Sequence, residues 1–158
     1  PIELIHNLPL MGIIIFFVLL LKTIATGNLL AALPDAVIGS LPYIGAVLVG
    51  SLLFPILLPI LPFRRFYLNG ALLGFFWFLV TLFIPAWHVG EMPMQTAGCC
   101  LIMISIVSWI SMNFTGSTPF TSYSGAKAEV HQALIPLIAT TAAGGILLLA
   151  SSLFFRVV

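Results

Sequence analysis

Residues 8–28 read LPLMGIIIFFVLLLKTIATGN, with Lys22 the one charged residue in the stretch. A helix rises about 1.5 Å per residue, so about 20 such residues match a hydrocarbon core about 30 Å thick. A helix that is apolar on every side has no stable place on a water-facing surface, and the stretch reads as a membrane span. Four more runs share its character: Val37 to Leu61, Phe66 to Trp87, Met94 to Met112 and Gln132 to Phe155. None alternates in polarity over about ten residues, as a transmembrane strand would. The expected fold is all-α: a polytopic membrane protein in which residues 1–158 form a single transmembrane domain, a bundle of about five helices joined by a polar cytoplasmic 4–5 loop.

Composition points the same way. Of the 158 residues, 61% are hydrophobic and 6% charged, the charges being Glu3, Lys22, Asp35, Arg64, Arg65, Glu91, Lys127, Glu129 and Arg156. These are too few to solvate a small domain in water, so lipid is the expected solvent and the bilayer the first partner. A net charge of +1 provides no basic stripe for nucleic acid. Cys99 and Cys100 are adjacent in an apolar run, which excludes a disulfide framework. The first residues lack a basic start and a small-residue cleavage site, so no signal peptide is expected.

Five spans put the N-terminus, the 2–3 turn with Arg64 and Arg65, and the 4–5 loop with Lys127 on one side. Positive charge favours the inner side, so the arginine pair predicts an N-terminus inside, in the cytoplasmic membrane of a prokaryote. Trp87 fits an aromatic belt at the opposite interface. Lys22, late in its span, is expected to extend its ammonium to that interface. Pro42, Pro55 and Pro59 each remove a backbone donor from the second run, so kinks are expected there, serving packing or opening the helix onto a cavity. Gly70 and Gly74 on the third helix, and Gly144 and Gly145 behind Ala142 and Ala143 on the fifth, predict close helix contacts.

No catalytic motif is present: no phosphate loop, CxxC pair, HExxH or nucleophile elbow. The unusual stretch is the 4–5 loop, Asn113-Phe114-Thr115-Gly116-Ser117-Thr118-Pro119-Phe120-Thr121-Ser122-Tyr123-Ser124-Gly125, rich in hydroxyls and without charge. Its hydroxyls suit a re-entrant cap on the helix ends. With Lys127 and the start of the fifth helix they also suit a cradle for a phosphate or carboxylate on a docking partner. Asn113, Phe114, Thr115, Gly116, Ser117, Thr118, Thr121, Ser122, Ser124 and Lys127 are the candidate docking residues, with Arg64 and Arg65 as inner-face charge. His6 and His131 fall on one side and form the one pair that could hold a haem. Cys99 and Cys100 point about 100° apart on a helix, so a soft metal would meet them singly.

Ser111-Met112-Asn113-Phe114-Thr115-Gly116-Ser117-Thr118-Pro119-Phe120-Thr121-Ser122, continuing through Ser124-Gly125-Ala126-Lys127-Ala128-Glu129-Val130, resembles the C-terminal membrane domain of the mercury-methylating corrinoid protein family. Leu61-Pro62-Phe63-Arg64-Arg65-Phe66-Tyr67-Leu68-Asn69-Gly70-Ala71-Leu72-Leu73-Gly74 looks like that domain's 2–3 turn. The resemblance implies a cytoplasmic corrinoid domain, related to the corrinoid subunit of carbon monoxide dehydrogenase/acetyl-CoA synthase, and a ferredoxin-like electron donor. Neither the cobalt-ligating cysteine of that domain nor iron–sulfur cysteines stand in this sequence. The cobalt role is not carried onto Cys99 or Cys100. A corrinoid or iron–sulfur cluster is therefore expected on a partner, and this chain as a non-catalytic anchor and docking module. Two alternatives stay open: a small subunit of a respiratory or photosynthetic electron-transfer complex binding haem, quinone or pigment, and a transport path for a soft metal or small solute.

Overall fold

The computed structural model describes Ile5, residues 7–114 and residues 123–157, and among them every regular element is helical. Helix α1 is Leu8–Thr26. Helix α2 is Leu29–Leu57, α-helical to Leu48, π-helical over Val49–Leu53 and α-helical again over Phe54–Leu57. Helix α3 is Phe66–Leu82, followed by a 3-10 turn at Pro85–Trp87. Helices α4, Pro93–Met112, and α5, Tyr123–Val157, complete the chain. Helices α1, α2, α4 and the Val130–Phe154 part of α5 are long and apolar enough to cross a membrane. The 17 residues of α3 span about 25 Å, short of the same length. Large apolar side chains face outward, among them Phe83 at 85% exposure and Leu30 at 77%, a surface suited to lipid and not to water. The molecule is an integral membrane protein of the all-α class.

Three helix boundaries differ by five residues or more from the sequence-based expectation. Helix α2 begins at Leu29, not Val37, because the hairpin needs only Gly27 and Asn28. Gly27 ends α1 in the left-handed region at φ 70, where a glycine meets no steric penalty. Asn28 then caps α2, its Oδ1 accepting from the Leu30 N–H at 3.1 Å. Helix α3 stops at Leu82, short of Trp87, and Pro85 starts the separate 3-10 turn. Helix α5 starts at Tyr123, so Ser124, Gly125 and Lys127 are helical and do not belong to the 4–5 loop.

Helix α2 does not open at its prolines. It continues through Pro34 and Pro42 and meets Pro55 with the π turn just before it. A π turn re-spaces the backbone bonds where the proline ring would crowd the preceding turn.

Helix α4 is central, packed between α3 and α5, while α1 packs against α2 and α5. Lipid tails are as apolar as leucine, so close backbone approach must drive this association. Glycines provide the approach. A Cβ at Gly70 would lie 2.2 Å from Ser111 Oγ and 2.7 Å from the Ser108 Cα, and one at Gly74 would lie 2.9 Å from the Ile104 Cα. Gly98 of α4 and Gly144 of α5 are mutual, a Cβ on either falling 3.1 Å from the other's carbonyl oxygen. Gly145 departs from expectation, because a Cβ there meets nothing within 4 Å.

Hydrogen bonds clasp α4 to α3 and α5 and tie α2 to its neighbours. Asn7 Nδ2, just before α1, donates to Ser51 Oγ of α2 at 3.0 Å. Trp77 Nε1 of α3 donates to the Pro42 carbonyl of α2 at 2.8 Å, its ring seated where Gly45 leaves space. Ser111 Oγ of α4 donates to the Phe66 carbonyl of α3 at 3.0 Å, and Ser105 Oγ meets Thr140 Oγ1 of α5 at 2.8 Å. Tyr43 Oη of α2 and Cys99 Sγ of α4 share a hydrogen bond of 3.0 Å. Such bonds average about 0.6 kcal/mol each in membranes, so they fix register more than they hold the bundle together. Gly45→Ala is expected to displace the Trp77 ring and shift its fluorescence maximum, since the new methyl would meet Trp77 Cζ2 at 2.2 Å.

Candidate functional site

The two ends of the bundle differ in what they hold rigid. At one end Phe54 of α2 packs against Phe66 at a ring distance of 6.0 Å and against Phe114 at 5.7 Å. These contacts bring the 2–3 turn and the start of the 4–5 connection together, beside Asn7 and the start of α1. The opposite end holds the α1–α2 hairpin and the α3–α4 connection. There His88, at φ 52, pairs with Glu91, and Gln95 Nε2 donates to the His88 carbonyl at 2.7 Å.

Arg64 and Arg65 are both exposed, on a turn fixed by one buried side chain. Asn69 is 1% exposed; its Nδ2 donates to the Phe63 carbonyl at 2.8 Å and its Oδ1 accepts from the Phe63 N–H at 3.0 Å. The amide thus pairs with Phe63 as a neighbouring backbone would, closing the turn from within the bundle. Arg65 Nη1 donates to Tyr67 Oη at 3.4 Å, which holds that side chain back along α3. Asn69→Leu keeps the volume and removes both bonds, stranding the Phe63 amide and carbonyl. The expected cost is about 1–3 kcal/mol, read as a lower unfolding midpoint together with faster protease cleavage at Arg64 and Arg65.

The remaining sequence-predicted residues divide three ways. Asn113 is exposed at this end and Phe114 is packed on Phe54, while Thr115, Gly116, Ser117, Thr118, Thr121 and Ser122 lie outside the described residues. Ser124 and Lys127 belong to the first turns of α5, with Lys127 and His131 exposed. His6, the other half of the expected haem pair, lies outside the described residues. Cys99 is buried against Tyr43 and Cys100 is half-buried, and no three His, Cys, Asp or Glu residues cluster among the described residues.

Lys22 departs from its expected outward course. Its Cε lies 3.5 Å from where a Gly39 Cβ would stand. Counting from Asn28, Lys22 lies about 9 Å from the hairpin along α1 and Gly39 about 16 Å along α2. The stem therefore runs toward the bundle interior. Side chains lean toward the N-terminus of their helix, and on α1 that direction leads away from the near interface.

A groove of about 470 Å³ lies between α1, α4 and α5, lined by Leu10, Ser105, Ile106, Trp109, Ile138 and Ala142 among others. Ser105 and Thr141 spend their hydroxyls on the Leu101 and Leu137 carbonyls, so the wall is apolar in effect. Trp109 is 47% exposed, and its indole N–H has no acceptor among the described residues. Composition did not single out this groove, Asn69 or Tyr43. An isolated amide or phenol in an otherwise apolar helix is the signal that marks the last two.

No family model, curated protein or solved structure matches the chain.

Proposed function

We propose that this chain is a non-catalytic membrane anchor that docks a cytoplasmic corrinoid or redox protein on its arginine end. The supporting observation is the Asn69 clasp, which holds exposed Arg64 and Arg65 on a fixed turn beside Phe114 and the 4–5 connection. Exposed Lys127 adds a third positive charge at that end. A basic turn with a clasped backbone, surrounded by lipid-facing helices, suits an acidic soluble surface, because a backbone ordered in advance loses little entropy on binding. In this reading the arginine end and the N-terminus face the cytoplasm across a prokaryotic cytoplasmic membrane, in keeping with positive charge on the inner side. The cofactor belongs to the partner, a corrinoid protein supplied with electrons by a ferredoxin-like protein, as the resemblance of residues 111–130 implies.

Two measurements test the reading. In sealed cells, a cysteine introduced at Arg64 in a variant with Cys99 and Cys100 replaced by serine should resist a membrane-impermeant maleimide, whereas one at His88 should react; the reverse pattern contradicts the orientation. Replacing residues 115–121 by a glycine–serine segment of equal length should reduce partner retention on purification, and unchanged retention would remove the loop from the docking face.

A further inference from the structure

The geometry points to a binding site for an anionic phospholipid, with its acyl chain in the groove between α1, α4 and α5 and its phosphate at Lys127 and His131. The inference goes beyond docking: the groove lies apart from the arginine turn, and Lys127 alone is shared with the docking face. At 100° per residue, Lys127, His131, Ile138, Ala142 and Gly145 fall within about 60° of one another around α5. One stripe thus runs from a cation and an imidazole, both exposed, onto the groove wall at Ile138 and Ala142. It continues to Gly145, where a Cβ would meet nothing within 4 Å, so the apolar track stays open beyond Ala142.

The polar groups stand at the depths a phospholipid requires. Ser105 contacts Thr140, while Met112 packs with Ala133 and Leu137, so Trp109 lies near the level of residue 136 on α5. Trp109 lines the groove, and its indole N–H, without an acceptor among the described residues, is the donor that an ester carbonyl of a lipid would engage. His131 lies about 7 Å farther along the helix and Lys127 about 13 Å, the headgroup side of that carbonyl. His131 offers a ring N–H to a phosphate oxygen and Lys127 an ammonium. A quinone would use the apolar track and the indole but offer no charge to Lys127, which has no ion-pair partner among the described residues. A second copy of the chain would have to bring a carboxylate to it. The charge at the end of the stripe selects an anionic headgroup, and the inner leaflet supplies one when the arginine end is cytoplasmic.

The test uses the purified full chain without any partner, so its outcome is independent of the docking proposal. The chain is reconstituted in phosphatidylcholine vesicles, and part of the lipid is replaced by acyl-brominated phosphatidylglycerol or by acyl-brominated phosphatidylcholine. Bromine quenches tryptophan at contact, and the Trp109 signal is the difference between the wild type and Trp109→Phe. Brominated phosphatidylglycerol should half-quench Trp109 at about a fivefold lower mole fraction than brominated phosphatidylcholine. Lys127→Gln with His131→Gln, both at exposed positions, should erase that preference while both lipids still quench. Ala142→Phe should weaken quenching by both. Equal quenching of the wild type by the two lipids would overturn the proposal, as would a preference that survives K127Q with H131Q. A Trp109 that neither lipid reaches would also overturn it, assigning the groove to another helix.

Discussion

Gly70→Ala is expected to lower the stability of the bundle by about 2–3 kcal/mol, a loss large enough to leave much of the protein aggregated in mild detergent. Its new methyl would sit 2.2 Å from Ser111 Oγ and 2.7 Å from the Ser108 Cα. The hydroxyl can rotate away, at the cost of its bonds to the Ser108 and Phe66 carbonyls. The Cα is backbone and can yield only if α3 and α4 separate. Separation also strips Gly74 from Ile104 and Met103, one turn along the same contact. Alanine in place of glycine favours a helix by about 1 kcal/mol, so the clash must exceed that gain. Gly145→Ala isolates the propensity term, because nothing lies within 4 Å of its Cβ. It should leave stability unchanged or raise it by up to about 1 kcal/mol. Unfolding midpoints of both variants in one detergent decide the matter, and similar shifts would mean that α3 and α4 do not approach this closely.

The second large effect concerns docking. Arg64→Glu with Arg65→Glu should reduce retention of the soluble partner at least about tenfold at low salt, with a smaller difference at high salt. Both side chains are exposed and the turn is held by Asn69 from inside, so the double variant should fold and insert normally. Two reversals change the local charge by four units, enough to convert attraction into repulsion for an acidic partner. Quantifying co-purified partner against the membrane chain at two ionic strengths provides the measurement. Equal retention at low salt would take the arginines out of the docking face.

Much of the fold was legible because lipid imposes so few solutions. An apolar run such as residues 8–28 can only be a helix if it spans, and Gly70 with Gly74 announced one contact by spacing alone. The second helix was harder to bound. Pro34 and Asp35 look like linker residues, yet Asn28 caps the helix ahead of them, and a cap of one side chain is easily overlooked. Gly144 and Gly145 were equivalent in sequence, and only their rotation about α5 decides which one meets α4. Asn69 stood within a quoted motif, but its partner is the backbone of Phe63, which carries no signal in residue types. The groove joins Leu10, Trp109 and Ile138, which are far apart in sequence. Their meeting depends on helix packing that periodicity does not encode.

The most direct test of an anchor that docks a cofactor-bearing partner is purification of the wild-type chain from its native membrane in mild detergent, followed by metal analysis and protein identification of the particle. Cobalt or iron near one equivalent or more per chain, carried by a separate soluble protein and lost on raising the salt, is the expected result. A particle containing this chain alone, or one whose haem or pigment absorption stays with this chain after high salt, would contradict it.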